Sequence, residues 1–247
     1  MKKLIMQVYY EGHSQRIQDG GYIPDYDLSV ESEHRMKLYA DSIGADYRML
    51  REPYFKSVKN PGWNRFAMIQ SEFDQYDEVC YVDADILVAK RALGVDIFTH
   101  PASHLDVEGK VWHELPDVDP SDVNGKVMEI GKFTNGEESW MINAGVLKLN
   151  KKERIKLRTD KWGIMAKPWI RDYLERTGKN QIAFNKSYKK VLRKKPGTMS
   201  PLWNSTRPWY EPAFFKHYIG PQKVKGQSPY GFMGDCPVYK EDWHNAT

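Results

Sequence analysis

Cysteine is nearly absent from this chain. Cys80 and Cys236 are the only two in 247 residues, too few for a disulfide framework and too far apart for a zinc knuckle. Both read as reduced thiols of an intracellular protein, and a cytoplasmic location is expected. Long apolar runs are missing too. No stretch approaches the roughly 18 apolar residues that would suggest a membrane span. The opening MKKLIMQVYY has a short apolar run but no small-residue cleavage site, and polar residues return at Gln7 and Glu11. It reads as a buried first strand rather than a signal peptide. The sequons at Asn204 and Asn245 are then chance matches. Charge of one sign is also scarce: a net +4 gives no argument for nucleic acid. What is plentiful is core-forming material. Forty per cent hydrophobic and 13% aromatic residues can bury a real core, and the length fits one domain over residues 1–247.

The order of elements is legible in the first hundred residues. Residues 3–10 form a strand. From Val30 to Ile43 the apolar positions Met36, Tyr39 and Ile43 suit an amphipathic helix, ended by Gly44. The run DYRML is a second strand. Trp63, Phe66, Ile69 and Phe73 return to helical spacing, and Glu78–Val82 is a third strand. Strand, helix, strand, helix, strand is the pattern of a parallel α/β sheet. Residues 101–138 are rich in proline, glycine and acids, and read as a long variable loop. Apolar strand character resumes from Met141 to Leu149. Lys151–Arg176 has mostly helical residues interrupted by Pro168, and Gln181–Tyr188 suits a short helix.

CYVDADILVAK, residues 80–90, holds the first chemical signal. Asp83 and Asp85 follow the third strand, at the end where ligands bind in such sheets. If the strand continued, residues i and i+2 would point the same way, and two anions aimed at one point need a cation. Alone, the pair is equally a solvated turn. HYIGPQK supplies His217 as a nitrogen ligand, Gly220 for close backbone approach and Lys223 as a charge for a phosphate; the bland alternative is a histidine packed in an aromatic tail. In NAGVLKLN, Asn143 can donate to and accept from hydroxyls, or simply form a turn before a strand. NQIAFN places Asn180 and Gln181 before Ile182 and Phe184, and reads otherwise as a polar helix start.

In this order, WNRFAMIQ, FDQYDEVCYVDADILV, MINAGVLKLN, NQIAFN, SPLWN and HYIGPQK resemble the retaining family-8 glycosyltransferases of the GT-A fold. That group contains glycogenin and bacterial lipopolysaccharide galactosyl- and glucosyltransferases. The resemblance runs from about Trp63 to Lys223. It implies a mixed, mainly parallel sheet flanked by helices, with residues 1–100 as the nucleotide-binding half and 139–247 as the donor-sugar and acceptor half. It further implies that Asp83, Asp85 and His217 bind Mn2+ or Mg2+, and that Lys223 and the Gly220 backbone hold the diphosphate. Asn143 and Ala144 would face the donor sugar, with Asn180 and Gln181 near its anomeric carbon. Arg65 and Ala84 would contact the donor, and Val8, Tyr9 and Tyr10 would meet the base. Two departures stand out: Asn180 replaces the family's usual aspartate, and Lys223-Val224-Lys225 replaces Lys-Pro-Trp.

The implied activity is metal-dependent transfer of a hexose, with retention, from a nucleotide diphosphate-sugar such as UDP-glucose or UDP-galactose. Acceptors would be a glycan, a lipid-linked glycan or a protein. The basic runs Lys148–Lys161 and Lys186–Lys195 suit an acidic acceptor or peripheral membrane contact, or a solvated helix face. Trp112 and Trp140 are candidates for stacking on a sugar ring. Asp106, Glu108, Glu114, Asp117 and Asp160 are acids without an assigned role. A sugar-phosphate nucleotidyltransferase would carry a glycine-rich phosphate loop after the first strand, which YYEGHSQRIQDGG does not supply. A glycan-binding domain without catalysis would have no use for a diphosphate grip at Lys223.

Overall fold

The computed structural model describes residues 1–9, 28–56, 61–99, 104–106, 142–164, 184, 187–188, 190–193, 201–204, 213–218, 238 and 240–243. Strands β1 (Lys3–Val8), β2 (Asp46–Leu50) and β3 (Glu78–Val82) pair in parallel, with β1 in the middle. Between β1 and β2 runs helix α1 (Leu28–Ser42). After β3 the short strand β4 (Ile86–Val88) leaves the sheet. Strand β5 (His104–Asp106) and the long β6 (Ile142–Asn150) complete the order β2-β1-β3-β6-β5. Since β6 is antiparallel to both β3 and β5, it alone opposes the common direction. The sheet is mixed and mainly parallel, as expected. Helix α2 (Lys151–Thr159) follows β6, and β7 (Phe215–His217) pairs antiparallel with β4 in a separate two-stranded sheet.

Strands β1, β3 and β6 are largely apolar on both faces because both faces are covered there. Leu4, Met6, Val8, Val79, Tyr81, Leu147 and Leu149 point into one core with Trp63, Phe66 and Phe184. The alternate residues Ile5, Cys80, Val82 and Val146 point into a second, with Met36, Tyr39, Trp203, Phe215 and Trp243. Burial pushes the Cys80 thiol up to about 12, so it behaves as a small hydrophobe.

Helix α1 stops where glycine permits a left-handed turn: Gly44 has φ 63°. Helix α2 starts with a capping box. Glu153 N donates to Asn150 Oδ1 at 3.0 Å, and Asn150 N donates to Glu153 Oε2 at 3.0 Å. Its arginines, the buried Arg154 and the partly exposed Arg158, reach back to the preceding segment. Arg154 donates to the carbonyls of Phe73 (3.0 Å) and Met68 (3.5 Å), and Arg158 donates to Ile69 O (2.8 Å) and grips Asp74 through both carboxylate oxygens. The basic run is therefore divided between structural arginines and the exposed Lys151, Lys152 and Lys156.

Two expectations on helices change. The segment from Trp63 to Phe73 is not one α-helix but two 3₁₀ helices, Pro61–Ile69 and Ser71–Phe73. Carbonyls at its end are taken by Arg154 and Arg158, and Gln70 N closes a three-residue turn onto Ala67 O at 2.8 Å. The helical stretch that begins at Lys151 ends at Thr159, before Pro168, and residues 165–176 of that expectation lie outside the described residues. The chain reverses after Thr159, and a Cβ at Gly163 would lie 2.2 Å from the Leu157 carbonyl oxygen. In the proline-rich stretch expected to be loop, residues 104–106 form β5 beside β6; the rest of 101–138 lies outside the described residues. Among the described residues no helix is long and apolar enough to cross a membrane.

Candidate active site

Asp83 is the first residue beyond β3. Its backbone N–H donates to Gly145 O at 2.8 Å, which ties it to the neighbouring β6. The chain then turns instead of continuing as a strand. Ile86 N donates back to Asp83 O at 3.2 Å, closing Asp83–Ile86 as a four-residue turn. The two carboxylates therefore converge through a turn, not through the two-residue repeat of a strand. From Ile86 the chain enters β4, whose pairing with β7 sets Ile86 opposite His217. Tyr218 N donates to Asp85 O at 3.0 Å and locks that register. A histidine more than a hundred residues downstream thus arrives beside the acid pair.

His217 Nε2 lies 3.3 Å from Asp85 Oδ1 and 3.8 Å from Asp83 Oδ2. One ligand atom from each of the three residues lies within 4.8 Å of the others. Ligands about 2.1 Å from an octahedral ion sit about 3.0 Å apart when adjacent and about 4.2 Å apart when opposite. The cluster therefore fits a single divalent ion with little movement. The imidazole is also oriented for the task. Its Nδ1 is 2.9 Å from Asn204 Oδ1, an oxygen that can only accept, so the Nδ1 proton points there. In the neutral ring this leaves the Nε2 lone pair facing the carboxylates, the arrangement found around metal-bound histidines.

The other oxygen of Asp83 is held from the opposite side. Tyr81 Oη donates to Asp83 Oδ1 at 2.6 Å, and Arg65 Nη2 lies 3.3 Å from the same atom. Arg65 also donates from Nε to Gly62 O at 2.9 Å and lies 5.5 Å from the centre of the Tyr81 ring. Burial opposes the Arg65 charge, but Asp83 and Tyr81 outweigh it, and its pKa ends above the ordinary arginine value. Burial, reinforced by Asp83, raises the Tyr81 phenol well above its usual range. Tyr81 therefore stays a donor at any ordinary pH, and Asp83 Oδ2 is left directed toward His217.

Of the expected site residues, Asp83, Asp85, His217 and Arg65 come together here. Ala84 lies in the turn between the acids. Val8 is buried at the end of β1, and Tyr9 follows it with its N–H on Leu50 O at 3.0 Å. Asn143 and Ala144 lie in β6 just before Gly145. Tyr10, Asn180, Gln181, Gly220 and Lys223 lie outside the described residues, as do Cys236, Trp112, Trp140, Glu108, Glu114 and Asp117. Asp160 caps the end of α2 and accepts from Trp162 N at 2.8 Å. Two participants had no role in the sequence reading. Asn204 closes SPLWN, and Tyr81 sits two residues before Asp83. The two-residue spacing of Tyr81 from the first acid was the available signal.

No protein-family profile and no curated protein matches the chain. Among solved structures it is similar to a glycosyltransferase involved in the glycosylation of the major capsid of PBCV-1. That match has 14% identity and a TM-score of 0.49, and covers 89% of this chain and 94% of the other. It is also similar to the glycosyltransferase GlyE of Streptococcus pneumoniae TIGR4 in its apo form, at 15% identity and a TM-score of 0.43. There the match covers 98% of this chain but 61% of GlyE. A third likeness is to the galactosyltransferase LgtC in complex with donor and acceptor sugar analogues, at 15% identity and a TM-score of 0.38. It covers 96% of this chain and 92% of LgtC.

Proposed function

We propose that the chain is a metal-dependent glycosyltransferase of the GT-A type, moving a hexose from a UDP-sugar to a glycan acceptor with retention of configuration. The observation that carries this reading is the Asp83–Asp85–His217 cluster at the carboxyl end of β3, with the far side of His217 anchored on Asn204. Motif order along the chain supports the same reading. The three residues would hold a divalent ion, which when bound neutralises charge growing on the diphosphate leaving group. Asp83 and Asp85 offer oxygens and His217 a nitrogen, a mixed set that favours manganese over magnesium.

The chain's own groups divide the remaining work. Lys223 and the Gly220 backbone hold the diphosphate. Arg65, already beside Asp83, stands near the donor, and Tyr9 and Tyr10 receive the uracil. On this reading Asn143 and Ala144 would orient the sugar hydroxyls, and Asn180 and Gln181 would serve the anomeric carbon as an oxocarbenium-like state develops. The acceptor hydroxyl would attack on the face that the diphosphate leaves, its oxygen bonding to the anomeric carbon as the C–O bond to the diphosphate breaks and its proton passing to the departing diphosphate oxygen, which retains configuration without a carboxylate nucleophile.

The test is a donor titration followed by thermal shift and by slow donor hydrolysis, with Mn2+, with Mg2+ and without metal. UDP-glucose or UDP-galactose should bind and hydrolyse, more with Mn2+ than with Mg2+, and GDP should not compete. Equal shifts for UDP and GDP would defeat the donor assignment. Metal-independent binding and hydrolysis would instead make the cluster an imidazole–carboxylate ion pair with no ion.

A further inference from the structure

We infer that Gln7, Ser32 and Tyr47 are positioning residues that set the Asp83–Ile86 turn and thereby the affinity of the acid pair for its ion; this rests on the metal-site reading above. Gln7 is the penultimate residue of β1 and is fully buried. It lies on the face of the sheet that otherwise carries Ile5 and packs on α1. A buried amide there is costly unless both ends are satisfied, and both are. Gln7 Nε2 donates to Ser32 Oγ at 2.9 Å and to Asp83 O at 3.2 Å. Gln7 Oε1 accepts from Tyr47 Oη at 2.8 Å. Ser32 in turn donates its single hydroxyl proton to Ile86 O at 2.6 Å.

The direction of every bond in this relay is fixed. The Asp83 carbonyl can only accept, so the NH2 end of the Gln7 amide must face the turn and Ser32. The amide oxygen is then left for the Tyr47 hydroxyl, which donates to it. Ser32, having accepted from Gln7, gives its proton to Ile86. The outcome is that the carbonyls of the first and last residues of the turn, Asp83 and Ile86, are both gripped from inside the protein. The first of those peptides directly follows Asp83, and the two together bracket Asp85. Four separate elements, β1, α1, β2 and the turn, are joined for this purpose. An apolar residue at position 7 would continue the β1 pattern and fill the space, but it would leave Asp83 O with the Ile86 N–H alone and remove the donor that orients Ser32 toward Ile86 O.

The experiment is Mn2+ titration by electron paramagnetic resonance, at a temperature well below the unfolding midpoint of each variant. Gln7→Met should weaken Mn2+ binding by about 10–100-fold, as loss of groups that orient metal ligands does. Ser32→Ala and Tyr47→Phe should weaken it several-fold and broaden the bound Mn2+ spectrum. Tyr47 is half-buried and does not touch the turn, so Tyr47→Phe keeps the test decisive if Gln7→Met fails to fold. The control is Tyr39→Phe, which removes another buried hydroxyl, one bonded to Val95 O at 2.9 Å. It should leave affinity and spectrum unchanged. Wild-type affinity in both Ser32→Ala and Tyr47→Phe would overturn the relay while leaving the metal site standing. A wild-type protein that binds no Mn2+ would overturn the metal-site reading and this inference with it.

Discussion

His217 shows how a single side chain is prepared by its neighbours. Its ring is 7% exposed, one nitrogen rests on Asn204, and the other faces two carboxylates. His217→Ala should therefore abolish most Mn2+ binding and donor turnover, and Asp85→Ala should remove metal-dependent donor binding. Asn204→Ala is the subtler change. It leaves all three ligands in place but frees the ring, and Mn2+ affinity should fall by about 10–100-fold, measurable by calorimetry. Wild-type affinity in Asn204→Ala would mean that β7 packing alone orients the ring. The acids and His217 were legible in the sequence because their types and motif order point to a metal. Asn204 and Gln7 were not, because their roles lie in which atom they touch, and Tyr81 was marked only by its spacing from Asp83. A polar residue inside β1 signals only that it must find partners, not which ones.

Helix α2 and the 3₁₀ segments it packs on are held by a cap and arginines as well as by the buried Leu157, Phe66, Ile69 and Phe73. Asn150→Ala removes half of the capping box and should destabilise the protein by about 1 kcal/mol, read from urea unfolding. Asp74 adds a pH dependence. Its hydrogen bond to Arg158 holds its carboxyl below the ordinary 3.8. A depressed carboxyl stabilises the fold above its unfolded value, and the effect disappears as pH falls through the folded value. Asp74→Asn should thus be less stable than wild type at pH 7, with the gap closing below about pH 4; a gap constant across that range would exclude the linkage. Helix α1 explains why some elements were harder to read. Its buried face includes Ser29, Ser32 and Arg35 beside Met36 and Tyr39. Arg35 reaches the Val238 and Val88 carbonyls and lies 5.3 Å from the Trp243 ring. That helix packs on polar groups of distant segments, so apolar periodicity alone understates it. Strands β1, β2, β3 and β6 were legible to within a residue or two, but the three-residue strands β4, β5 and β7 are too short to show a pattern.

Residues 83, 85, 204 and 217 meet at one point, so an ion there would cross-link segments far apart in the chain. Mn2+ at a hundred times its dissociation constant should raise the unfolding free energy by about 2.7 kcal/mol, read from urea melts with and without metal. His217→Ala should lose that increment; an equal increment in the variant would place the ion elsewhere. The β4–β7 pairing that brings His217 to Asp85 also imposes an order in time. During synthesis the acid pair emerges early, while its imidazole and the partner strand of β4 follow about 130 residues later. At about 5–20 residues per second, the delay is on the order of ten seconds. For that interval the nascent chain exposes β4 with no partner edge and holds two carboxylates that cannot yet grip an ion firmly. A metal site built on this cluster can form only once the segment carrying His217 has been made.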